Sequence, residues 1–129
     1  MSTIKADLEE RLIGFAAMVL KVAEQLPNEL KATFLGSQLL HSATAPAMSY
    51  AVSADTPKDF LNKLKQCLKD LRDTHILLRI AKRIPSLDAV YIDPALEEGN
   101  HLIAIFAKSV KTKKSNMANG TKAKTGATI

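Results

Sequence analysis

The sequence contains no tryptophan, two tyrosines and four phenylalanines. That scarcity argues against stacking of bases on aromatic platforms, a usual way of gripping single-stranded nucleic acid. The single cysteine, Cys67, excludes an internal disulfide and a cysteine-based zinc site. No uninterrupted apolar run reaches the roughly 18–20 residues that span a bilayer, so no membrane partner is expected. The opening residues, MSTIKADLEER, turn charged at once and lack the hydrophobic region of a signal peptide. Together with the lone cysteine, this predicts a reducing, cytoplasmic setting. A glycine-rich phosphate loop is missing too. Gly14, Gly36 and Gly99 each stand alone in helical segments, and no cofactor is expected.

What is present suffices for one domain. The chain has 129 residues, 47% of them hydrophobic, enough for a real core. Its formal charge is +5, from 18 basic and 13 acidic side chains. Residues 107–129 hold six lysines and no acid, which leaves residues 1–106 at −1. The overall basicity therefore belongs to the C-terminal segment and says little about the folded body.

Prolines and capping residues divide the chain into four helical segments. In the first, from about Ala6 to Leu26, Leu8, Leu12, Phe15, Val19, Val22 and Leu26 recur at alternating spacings of 4 and 3. That is one seam of a helix packing at coiled-coil-like angles. Pro27 stops it and Asn28 is placed to cap the second segment, about Glu29 to Ser53. There Leu30, Phe34, Leu35, Leu39 and Leu40 supply a broad apolar face, followed by the small-residue stretch SATAPAMSYAVSA. Pro46 inside it predicts a kink near residues 42–46, with a loop dividing the segment as the alternative. The third segment opens with Thr56 as N-cap, Pro57 at the first helical position and Asp59 as the capping-box acid. It follows the seam Phe60, Leu64, Cys67, Leu71, Thr74, Leu78, Ala81 to Ile84-Pro85. Asp93-Pro94 is read as opening the fourth, with Glu97 and Glu98 favouring its positive end. After Lys114 the pattern vanishes, and SNMANGTKAKTGATI is expected to be disordered. The expected architecture is all-α: an antiparallel up-down-up-down bundle over residues 1–114, with a kinked second helix and a disordered basic tail over 115–129.

Candidate chemistry is sparse, and no enzyme is expected. His41, His75 and His101 fall on three helices, none at the i, i+3 or i, i+4 spacing of a metal pair. Cys67 lies on the core seam, where a small buried hydrophobe is the simpler reading. Asp93, Glu97 and Glu98 suit a helix N-terminus better than acid–base work.

The informative charge pattern is on the third helix. Residues 58–83 carry eight basic and three acidic side chains. Lys65, Lys69, Arg72, Arg79 and Arg83 fall on one stripe opposite the Leu64/Leu71/Leu78 seam, with Ile76 in the vacancy midway. Such a row can track a phosphate backbone, or it can be a solvated helix face. The flanking body is acidic, −2 over residues 1–57 and −4 over 84–106. The same charges also suit head-to-tail self-association, one subunit's positive face meeting the next subunit's negative one.

The stretch FLGSQLLHSATAPAMSYAVSADTPKDFLNKLKQCLKDLRDTHILLRI, residues 34–80, lies in a segment of about 34–84 that resembles the bacterial four-helix-bundle proteins encoded in intervening sequences of 23S ribosomal RNA genes. Gln38-Leu39, Ser42-Ala43-Thr44, Pro46-Ala47, Tyr50, Lys58-Asp59-Phe60, Lys63 and Lys69-Asp70-Leu71-Arg72-Asp73-Thr74 carry the likeness. Ser49 and Val52 stand where many relatives have Asn and Glu, and His41 where Arg or Lys is common. The resemblance implies an antiparallel four-helix bundle, a homopentamer and no catalysis. A related branch, the accessory variability protein of diversity-generating retroelements, binds a reverse transcriptase and nucleic acid. The combined expectation is a non-enzymatic oligomer binding RNA or DNA without sequence preference through Lys65, Lys69, Arg72, Arg79 and Arg83. The alternative is a scaffold that docks a protein partner such as a reverse transcriptase.

Overall fold

Prolines and caps cut the chain into α1 (Ile4–Glu24), α2 (Leu30–Ala51), α3 (Pro57–Ala81) and α4 (Ala89–Ala127). The computed structural model describes residues 4–127, and side chains over 5–119. Among these residues there is no strand. Each helix packs on its sequence neighbours and α1 closes against α4, while across the diagonal α2 and α4 meet through the Tyr50 and Phe106 rings. Short links at 25–29, 52–56 and 82–88 make successive helices antiparallel, which gives the up-down-up-down bundle.

The best-specified start is that of α3. Thr56 is in extended backbone and its hydroxyl accepts the Asp59 N–H at 3.0 Å, with Pro57 at the first position. The α1 seam is inward as its spacing predicts: Leu12, Phe15, Val19 and Val22 are almost fully buried. On α3, Leu64, Cys67, Leu71, Thr74, Leu78 and Ala81 are buried, and Leu61 and Leu68 widen the face. Ile92, Leu102, Phe106 and Val110 complete the core from α4.

Three expectations are corrected. Asn28 does not cap α2: the N-cap is Glu29, with no side-chain cap bond. Asp93-Pro94 does not open α4, which begins at Ala89 because the Asp88 carboxylate accepts the Val90 N–H at 2.9 Å. Pro94 therefore lies inside the helix, at the loss of one backbone bond. The third correction concerns the inward face of α2. Leu30 is 88% and Phe34 67% exposed, and Leu40 is exposed as well. The buried line is Ala32, Gly36, Leu39, Ala43, Pro46, Tyr50, again at alternating spacings of 4 and 3. Small side chains on this line let α2 lie close to its neighbours. A Cβ on Gly36 would come within 3.3 Å of Leu26 Cδ1. The larger residues are left on the opposite face.

Pro46 does not divide α2, which continues through it as one helix to Ala51. Next to it, Ser42 and Thr74 form a polar link between α2 and α3. The two hydroxyl oxygens are 2.9 Å apart, and Thr74 donates to the Asp70 carbonyl at 2.8 Å. Each hydroxyl has one proton, so Thr74 Oγ1 is free to accept from Ser42, and both buried groups are satisfied. The Cys67 thiol faces the Pro46 carbonyl at 3.6 Å. At the far end, Lys63 of α3 donates to the Val52 carbonyl, a cation placed at the negative end of α2.

The apolar seam of α4 ends near Val110, but the helical backbone continues beyond Lys114. Met117 still packs against the core. The expected disordered segment, 115–129, extends outside the described residues: side chains are described to Asn119 and backbone to Ala127.

Candidate nucleic-acid interface

Helical periodicity puts the α3 cations together, and all of Lys65, Lys69, Arg72, Arg79 and Arg83 are exposed. Four belong to the helix. Arg83 lies two residues past its end, in the turn where the Arg83 N–H bonds the Ile80 carbonyl at 3.1 Å. From residue 65 to 83 the row runs ~27 Å at 1.5 Å per residue. Lys69 is compensated by Asp73 one turn on, at 2.8 Å. That pair, exposed on both sides, contributes little to stability but cancels one cation of the row. Lys65, Arg72, Arg79 and Arg83 have no ion pair among the described residues.

The first half of the row forms one side of a groove between α3 and α4. The groove measures about 370 Å³ and is lined by Lys65, Leu68, Lys69, Arg72, Asp73, Val110 and Lys114. Leu68 and Val110 form its apolar floor, and Lys114 adds a fourth cation from the facing helix. Sequence reasoning counts Lys114 with the lysine-rich segment 107–129 and not with the α3 row. Its spacing from Val110, four residues, puts it on the Val110 side of α4, but packing decides that this side meets α3. The second half of the row has a different character, since Ile76 and Ile80, each about half exposed, lie between the arginines.

Of the α4 acids Asp93, Glu97 and Glu98, two are paired. Glu98 accepts from Arg11 in a two-pronged contact, Nη2 to Oε1 at 2.8 Å and Nε to Oε2 at 3.2 Å, which ties α1 to α4. Asp93 meets Lys82 at 2.9 Å. With α4 starting at Ala89, Glu97 and Glu98 stand beyond its first turns. The helix-terminus explanation is replaced by an ion pair for Glu98.

Burial pushes the Cys67 thiol up to about 12, with Asp70 adding to the shift, so it is neither thiolate nor nucleophile near neutrality. Among the described residues, no group of three or more His, Cys, Asp and Glu is placed to hold a metal ion. His41 and His101 are exposed. His75 is half-buried beside Gly99, and its Nε2 is buried with no partner among the described residues. Burial lowers its pKa, and Arg79 lowers it further. Between the lowered folded value and the ordinary one, the unfolded chain binds a proton that the fold refuses. Stability is therefore highest above the unfolded pKa of ~6.5 and falls as pH drops toward the folded value. Urea midpoints at successive pH values should decline more steeply below neutrality for the wild type than for His75→Leu. Equal slopes would show that His75 does not contribute.

Comparison with known proteins gives the fold a precedent. No protein-family model matches the sequence, and no curated protein matches it. A solved structure from Bacteroides thetaiotaomicron, a protein of unknown function from the S23 ribosomal protein family, superposes with a TM-score of 0.73 at 21% identity. The match covers 83% of this chain and 97% of that one. At that identity the likeness establishes the shared four-helix fold.

Proposed function

We propose that the protein is a non-enzymatic, self-associating bundle that binds RNA or DNA through phosphate contacts, without reading sequence. The observation that carries the reading is the set of unpaired cations on one surface: Lys65, Arg72, Arg79 and Arg83, joined across the groove by Lys114. Phosphate contacts of this kind fix position and carry no sequence information. The membership of the similar structure in the S23 ribosomal protein family and the resemblance to ribosomal-RNA intervening-sequence proteins both fit an RNA setting. Five unpaired cations on phosphates give a slope in log affinity against log salt of about −4.5 on duplex DNA and about −3.5 on a single strand. Fluorescence anisotropy with unrelated 20-mers, as RNA and as duplex DNA, should show these slopes. It should also show little difference between sequences. Absence of binding at low salt would refute the proposal.

A second reading rests on Ile76 and Ile80, exposed between Arg72, Arg79 and Arg83. A phosphate backbone gains nothing from isoleucine, whereas an acidic protein surface with an apolar centre uses both. In that reading this half of α3 docks a protein: a second subunit, as in a homopentamer, or an enzyme such as a reverse transcriptase. Sedimentation equilibrium separates the two readings. An oligomer that dissociates on Arg72→Glu, with negligible nucleic-acid affinity, favours the second.

A further inference from the structure

The end of the bundle where α1 and α3 begin and α2 stops carries a second groove, distinct from the α3 stripe. It is about 380 Å³ in volume and open along one side, with Leu8, Tyr50, Phe60, Leu64 and Ile105 among its lining. All four helices contribute to it, so its shape is set by the core and not by a loop.

Two features point to a ligand. The first is charge: the ionic side chains lining the groove are Lys108 and Lys113, and no acid lines it. Neither lysine has an ion pair among the described residues. The Lys113 ammonium lies 5.6 Å from the centroid of the Phe60 ring, a placement that holds the cation over apolar surface. The second is Tyr50. It is 5% exposed, with its ring edge-on to Phe106 at 5.6 Å and 78°. Its hydroxyl has no hydrogen bond among the described residues. The buried polar atom left unpaired among the described residues is His75 Nε2, so the Tyr50 hydroxyl is open to the groove it lines. Burial raises the Tyr50 pKa, with the Cys67 thiol and Glu9 adding to it. At neutral pH the hydroxyl therefore keeps its proton and is available as a donor.

We propose that this groove binds a single-chain organic anion, a medium-chain carboxylate, with its acyl chain on Leu8, Leu64 and Ile105 and its carboxylate at Lys108, Lys113 and the Tyr50 hydroxyl. The size is appropriate. A cavity of roughly 150 Å³ holds benzene, or about 25 Å³ per carbon, so a chain of about ten carbons fits with part of its surface in solvent. The charges are complementary, and the Tyr50 hydroxyl, open to the groove, can donate to the carboxylate.

The test is titration of the full chain with decanoate below its micelle concentration, followed by calorimetry and thermal melts. Saturable one-to-one binding with a raised melting temperature is expected. Lys108→Glu with Lys113→Glu should weaken it at least about tenfold, through lost charge-assisted bonds, and Tyr50→Phe several-fold. Octanoate should bind more weakly, by up to about fourfold for each methylene removed. If the double variant fails to fold, the wild type still decides the matter, because decyltrimethylammonium should bind far more weakly than decanoate. No saturable binding up to about 1 mM decanoate, equal binding of the cation, or unchanged binding by a folded double variant would each overturn the proposal. Decanoate binding should be unchanged by Arg72→Glu/Arg79→Glu/Arg83→Glu, which tests this groove independently of nucleic-acid binding.

Discussion

Changing Arg72, Arg79 and Arg83 together to glutamate should lower nucleic-acid affinity by at least about 100-fold at 0.1 M salt, the largest functional effect expected from any surface change. The magnitude follows from counterion release. Each neutralised phosphate contributes about 0.9 of a decade in affinity at 0.1 M salt, so three lost contacts remove between two and three decades before any repulsion is counted. The salt slope should fall by about 3 at the same time, and the loss should be uniform across sequences. The three side chains are exposed and none has an ion pair among the described residues. Their reversal should therefore leave the helical content and the thermal melt close to wild type. Lys69→Glu alone should do less than Arg72→Glu, because Asp73 already offsets Lys69. Retention of wild-type affinity and slope by the triple variant would remove the arginines of the row as contacts and leave Lys65, Lys69 and the lysines of α4 to account for binding.

Phe106→Ala should cost about 3–5 kcal/mol, the largest single-residue loss of stability expected here. Phe106 is fully buried in α4 and meets the Tyr50 ring edge to face. Truncation loses the transfer energy of the ring, opens a cavity in the core and removes the aromatic pair. For a domain whose total stability is of order 5–15 kcal/mol, that is a large fraction, and a melting point about 10–20 °C lower is expected. Phe34→Ala is the contrast. Phe34 is 67% exposed, so its loss should stay within about 0.5 kcal/mol. Differential scanning calorimetry of the two variants measures both. Equal losses would show that Phe34 is covered in solution, as a subunit interface on the outer face of α2 would require.

Phe34 and Phe106 also show where sequence reading succeeds. Phe106 stands four residues after Leu102 and four before Val110, and the 3.6-residue period puts all three on the buried face of α4, with Leu96 and Ile103 at its edge. The same holds for the seams of α1 and α3, for the Thr56–Asp59 cap, and for the outward row from Lys65 to Arg79. In each case one face is apolar and the other is not, so there is one way to bury the helix. In α2 both faces are uncharged except for Lys31. Hydrophobicity alone favoured the side with Leu30 and Phe34. Packing favoured the side with Ala32, Gly36 and Ala43, because close approach of neighbouring helices requires small side chains.

The site divides in the same way. The α3 stripe was legible because five cations of one segment fall in one register. Lys114 was not, since its role depends on how far α4 continues as helix and which helix it faces. The start of α4 was misplaced because an Asp-Pro pair is a strong local signal, whereas Asp88 gained its capping role from the actual path of the chain after α3. Glu98 looked like a helix-terminus charge until the α1–α4 contact brought Arg11 to it.

The sequence by itself determined the number and order of helices, their antiparallel arrangement and the basic row, because these follow from local period, caps and short links. Only the tertiary structure decided which side of α2 is inward, which cations from different helices share a groove, and where an apolar cleft remains rimmed by Lys108 and Lys113. Those features depend on how closely neighbouring helices pack, and that distance is fixed by side chains far apart in the chain.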